Sequence, residues 1–120
     1  MGTVYTAGIS VTKLPKKEVD KHLHQIYRAL AVAGKSTPKF RLNSAMCYFG
    51  LTTWLDNGTI TVEINHRRRS PIMRTIIHEC LHLTYADMSE LNVLKLESIL
   101  FENLTDQQHT NLLKKTVALM

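Results

Sequence analysis

The stretch that decides how this chain is read is RTIIHECLHLTY, residues 74–85. It sets His78 and His82 four residues apart and puts Glu79 directly after the first. On a helix, residues i and i+4 lie one above the other, so both imidazoles can turn toward one ion. Glu79 lies about 100° further round, outside that bite but placed to take a proton from metal-activated water. The plainer alternative is an amphipathic helix with two histidines packed into its flank. With six histidines and six glutamates in 120 residues, His-Glu-x-x-His arises by chance in roughly one or two such chains per hundred. The motif alone is a suggestion, and its surroundings must decide.

Immediately upstream, Ser70 is a good N-cap and Pro71 a good first helical residue, which predicts a helix from there to about Tyr85. Before it, TITVEIN alternates through Ile60, Val62 and Ile64, and residues 40–54 are rich in aromatic and β-branched side chains. Asp56-Asn57-Gly58 between the two runs predicts a β-hairpin. Trp54 and the Tyr48–Phe49 pair are expected to pack on the sheet. Further back, Pro15 opens a helix whose apolar stripe is Val19, Leu23, Ile26 and Leu30, with Gly34 closing it. Downstream, Ser89 caps a helix over 90–103, and Thr105 with Gln108 has capping-box spacing for a last helix ending near Leu119. The expected fold class is α+β in a single domain, residues 1–120. An N-terminal helix precedes a small antiparallel sheet with a β-hairpin, then the motif helix and two more.

Composition fits this. A hydrophobic content of 44% with 21% charged residues is that of a globular chain, and no apolar run approaches the ~18 residues of a membrane span. The N-terminus lacks an apolar stretch of signal-peptide length, so a cytoplasmic protein with no membrane partner is expected. Cys47 and Cys80 are far apart and read as reduced thiols. The net charge of +5 favours anions weakly. Arg67, Arg68 and Arg69 form the densest positive run. Such a run is usually a solvated loop; the functional alternative is contact with DNA or RNA phosphates.

Catalytic zinc usually has three protein ligands and an open fourth position. On the helix SELNVLKLESILFENL, residues Val93, Leu94, Leu100, Phe101 and Leu104 cover one arc with Glu97 near its middle, while Lys95, Ser98 and Glu102 fall opposite. A carboxylate on a buried face is costly unless it is paired or binds a metal. Folding this helix back across TYADMS brings Glu97 level with the histidines at about 1.5 Å per residue. Glu97 is therefore the expected third ligand. A salt bridge to Arg74 is the alternative for Glu97, and Asp87 and Glu90 are rival ligands beside the turn.

Over about residues 46–104 the chain resembles the minimal gluzincins, which include SprT-like proteins and small bacterial and phage-encoded relatives. The likeness lies in CYFGLTTW, TITVEIN, a basic connector, TIIHECLH and a downstream helix bearing a glutamate. It implies a zinc metallopeptidase in which His78, His82 and Glu97 hold the metal and Glu79 is the general base. The three-histidine class would need Gly and His where this chain has Tyr85 and Met88. Fourteen residues separate His82 from Glu97, which makes this a pared-down version.

In the expected mechanism, zinc lowers the pKa of water toward 7, Glu79 accepts the proton and returns it to the leaving amine. Tyr85, seven residues after His78, is the candidate donor to the developing oxyanion. The alternative for Tyr85 is a core tyrosine at the helix end. His66 and His109 are weaker candidates, and His22 and His24 read as surface residues. The substrate would be a peptide or protein, added as a strand to an exposed sheet edge. The chain would act as a monomer or homodimer. The competing reading is a basic nucleic-acid-binding or regulatory module in which the zinc site is structural or vestigial.

Overall fold

A computed structural model describes residues 13–32, 34–46, 48–66 and 71–120. Helix α1 runs Lys16–Leu30 behind Pro15, and its 3.6-residue stripe of Val19, Leu23, Ile26 and Leu30 is buried. A single 3-10 turn, Gly34–Ser36, follows. Gly34 adopts φ +78°, a left-handed conformation that favours glycine.

Three strands come next: β1 (Lys39–Leu42), β2 (Gly50–Trp54) and β3 (Ile60–Ile64). The β2–β3 hairpin forms as expected around Asn57-Gly58, with Gly58 at φ +88°. Across the turn, Leu55 N–H donates to the Thr59 carbonyl and Gly58 N–H to the Leu55 carbonyl. The sheet is mixed where an antiparallel one was expected. Its order is β1-β3-β2, with β1 parallel to β3. Segment 40–54 therefore holds two strands, and the second forms the hairpin before β3 inserts between them. Such non-local parallel pairing leaves no mark in local sequence pattern.

The register puts Phe40, Val62 and Ile64 on the buried face. Arg41 and Glu63 pair across the other face, with Nε donating to Oε2 at 2.9 Å. Leu119 accepts from the Phe40 amide. At the other side of the sheet, β2 has no second strand beside it among the described residues.

The remaining elements are α2 (Ile72–Thr84), α3 (Glu90–Asn103) and α4 (Asp106–Val117). Ser89 Oγ accepts from the Asn92 amide, and Thr105 and Gln108 form the full capping box. Ser70, the expected cap of α2, lies outside the described residues. Helix α2 is the centre of the molecule. Ile76, Ile77, Cys80 and Leu81 are at most 2% exposed, and they meet Val19-to-Leu30 of α1, the inner sheet face, and Val93 and Leu100 of α3 in one core. No helix among the described residues is long and apolar enough to cross a membrane.

Helix α3 departs from its expected wheel in two places. Ser98 is buried rather than outward, and Leu94 is 41% exposed. The buried arc runs through Val93, Glu97, Leu100 and Leu104, so its centre is rotated away from Leu94, which instead borders a cavity.

Candidate metal centre

Helix α2 carries polar side chains on two flanks. His78 and His82, one turn apart, turn toward the start of α3, and their Nε2 atoms come within 3.2 Å. Glu90, in the first turn of α3, meets both: Oε1 lies 2.9 Å from His82 Nε2, and Oε2 lies 3.1 Å from His78 Nε2. These are the only described residues among which three metal-ligating atoms gather, all within 4.8 Å of one another.

The donor set suits a divalent ion. Ligands about 2.0–2.1 Å from tetrahedral zinc sit about 3.3 Å apart, close to the separations found here. The chemistry agrees with the geometry. Two imidazole nitrogens and a carboxylate oxygen all facing one point repel unless a cation, either a proton or a metal, lies among them. Burial pulls the His78 pKa down. The hydrogen bond to Glu97, with the charges of Glu90, Glu79 and Glu97, outweighs it and holds the imidazole above its ordinary value.

Glu97, expected as the third ligand, stands elsewhere. Its Oε1 is 2.8 Å from His78 Nδ1, the opposite ring nitrogen, and its Oε2 accepts from Arg74 Nη1 at 2.9 Å. The estimate from helical rise does bring Glu97 level with His78. It meets the back of the ring, and the salt bridge to Arg74 answers the cost of burying its charge. Glu90 is the carboxylate that joins the two histidines, because a glutamate in the first turn of α3 is long enough to reach back over the tight 85–89 turn. Its place one residue after the Ser89 cap was the available signal.

The other flank of α2 carries Glu79, 4% exposed beneath β2. Thr52 Oγ1 donates to Glu79 Oε1 at 2.6 Å. Burial pushes the carboxyl up; the Thr52 hydrogen bond and the neighbouring His78 and His82 pull it back without cancelling the rise. A half-open cavity of about 550 Å³ joins the two flanks, with His78, Glu79 and Glu90 on its floor and walls. Tyr48, Phe49 and Leu94 line it too. Tyr48 and Phe49 are 59% and 48% exposed and precede β2, while Trp54, its last residue, is 49% exposed. Asn65 holds the loop that presents the first two, its side chain donating to the Met46 carbonyl at 2.8 Å and its amide to the Phe49 carbonyl. The hydrogen bond of Thr52 and the close approach of Gly50 to Glu79 have no sequence signal at all, since both arise from the contact of β2 with α2.

Tyr85 is placed away from this chemistry. It is the C-cap of α2 at φ −124°, ψ 68°, so the helical phase that would align it with His78 is broken there. Its hydroxyl pairs with His22 Nδ1 at 2.8 Å, and it is absent from the cavity lining. His22 is correspondingly half-buried rather than a surface residue, and burial first, with Lys21 adding and Glu18 opposing, lowers its pKa. His66 is exposed. His109 donates from Nε2 to the Phe101 carbonyl and stacks edge-on to that ring. Arg67, Arg68 and Arg69 lie outside the described residues.

The chain matches no family model, no curated protein and no solved structure.

Proposed function

We propose that the protein is a zinc-dependent metallopeptidase of gluzincin type, with His78, His82 and Glu90 holding the metal and Glu79 as general base. One observation carries this reading. Three metal-ligating atoms converge beside a buried carboxylate, and His78 and Glu90 of the cluster line one cavity together with Glu79. Bound zinc supplies Lewis acidity to water and to a substrate carbonyl. Glu79 has the complementary task. Its carboxyl pKa, raised by burial, suits a group that takes a proton from attacking water and returns it to a leaving amine. Thr52 orients Glu79 through Oε1, and Oε2 lies against Gly50, which lines the same cavity.

The cavity reaches Gly50, the first residue of β2, and among the described residues the outer edge of β2 has no strand beside it, so an extended peptide would pair there as a further strand. The aromatic rim formed by Tyr48 and Phe49 fits peptide or protein side chains rather than a small polar substrate. A cytoplasmic setting belongs to the same proposal. A structural or vestigial metal site is the competing reading, and the buried, raised-pKa Glu79 at the cavity argues against it, because a purely structural site has no use for a base.

The test is zinc stoichiometry together with hydrolysis of an unfolded protein such as reduced casein. His78→Ala or His82→Ala should lose the metal. Glu79→Gln should keep it and lose hydrolysis by about 100-fold or more. Zinc-loaded protein that cleaves no peptide bond, or a Glu79→Gln variant as active as the parent, would overturn the peptidase reading.

A further inference from the structure

The carboxylate behind the histidine pair is held from several directions. Glu97 is 8% exposed, and its oxygens are divided between His78 Nδ1 and Arg74 Nη1. Arg74 is itself fixed, donating to Ser98 Oγ at 3.3 Å and lying over the Phe101 ring at 4.8 Å from its centroid. We propose that Glu97, clamped by Arg74, is a positioning residue that keeps the proton of neutral His78 on Nδ1 and thereby turns the Nε2 lone pair toward His82 and Glu90. This rests on the metal-site reading and assigns Glu97 a role other than ligand.

The chemistry follows from proton counting. A carboxylate has no proton to give, so at 2.8 Å from Nδ1 it can only accept, and Nδ1 must donate. Glu90 Oε2, 3.1 Å from Nε2, asks for a proton on the other nitrogen, but its side chain is 60% exposed and free to turn to water, whereas Glu97 is buried and held by Arg74. A neutral imidazole carries one N–H, so with that proton on Nδ1 the Nε2 atom is the acceptor. Without Glu97 the two tautomers compete. In one of them an N–H points at the metal position and has to be removed before an ion can bind. The ring also loses the contact that fixes its rotation. The two ring nitrogens point away from each other, so an oxygen bonded at Nδ1 cannot also reach an ion on Nε2. Arg74 compensates the buried charge of Glu97 and holds its second oxygen, which leaves the first in place for His78.

Long-range nitrogen–proton NMR of the metal-free protein, well above the imidazole titration range, reads the tautomer directly. The wild type should carry its His78 proton on Nδ1. Glu97→Gln keeps one oxygen that can accept from Nδ1, although its NH2 then faces the Arg74 guanidinium. It should retain the Nδ1–H tautomer in larger part than Glu97→Ala and lose less zinc affinity, measured against a competing chelator. Glu97→Ala should mix the tautomers and weaken zinc by about 10–100-fold. The visible spectrum of bound cobalt should be unchanged in both variants and altered in Glu90→Gln. An Nε2–H tautomer in the wild type would overturn the proposal. So would a Glu97→Gln variant that loses zinc as fully as Glu97→Ala and changes the cobalt spectrum, because that behaviour identifies a ligand. The wild-type tautomer and the Glu97→Gln cobalt spectrum decide the matter even if the alanine variant does not fold. Absence of hydrolysis would count against the peptidase reading and leave this result untouched.

Discussion

Gly50 of β2 lies directly over Glu79 of α2: a Cβ built at residue 50 would come within 2.9 Å of both Glu79 Cγ and Glu79 Oε2. The same atom would meet Thr75 Cγ2 at 2.9 Å. The missing side chain lets the edge strand close over the Glu79 carboxylate.

Gly50→Ala should therefore displace the Glu79 carboxylate while leaving His78, His82 and Glu90 untouched. Zinc content should stay at the wild-type level, and peptide hydrolysis should fall by about 10–100-fold, the scale of a misplacement near 1 Å. Overpacking should also lower stability by about 1–3 kcal/mol in denaturant titration. Wild-type turnover in this variant would show that Glu79 does not need its present position.

Thr52→Val keeps a β-branched residue on the strand and removes the hydroxyl that donates to Glu79 Oε1. That hydrogen bond holds the carboxyl down against the upward push of burial. Its loss should raise the Glu79 pKa further, so the acidic limb of the pH–rate profile moves to higher pH. A profile identical to that of the parent would mean that the hydrogen bond does not tune the base.

In the metal-free protein, stability should decline as pH rises. His78 is raised above its ordinary 6.5, so its contribution is complete below that value and disappears as pH climbs through the higher folded-state pKa. Glu79, raised above 4.5, acts with the same sign at lower pH. His22, with its lowered pKa, opposes them below 6.5. Glu79→Gln and His78→Gln should each flatten the decline in their own interval, measured by urea unfolding across pH. Added zinc should reverse it, since the metal competes with the same protons.

Cys80 should be inert. It is fully buried in the core, and desolvation, with the Glu79 charge adding, pushes its thiol far up. Alkylation of the native protein followed by peptide mapping should find Cys80 unmodified until the fold is opened by denaturant. Rapid labelling in the native state would contradict the packing of α2.

Much of the fold was legible locally. The buried stripe of α1, the hairpin at Asn57-Gly58, and the caps at Ser89 and Thr105 each lie within a few residues of the bonds they make. The pairing of β1 with β3 was not legible, because it joins segments across the intervening hairpin.

By itself the sequence determined that His78 and His82 share one face of a helix and that Glu79 does not, because helical pitch fixes those angles. It also determined that Glu97 needed a partner, since an apolar arc surrounds it. Only the tertiary structure decided that this partner is Arg74 together with the back of His78, and that Glu90 meets the front. The two glutamates are two helical turns apart on α3, each within reach of the same imidazole. Rise per residue gives the level of a side chain but not which ring nitrogen it faces. That depends on how α3 rolls against α2, which is set by the packing of Val93 and Leu100 into a core gathered from the whole chain.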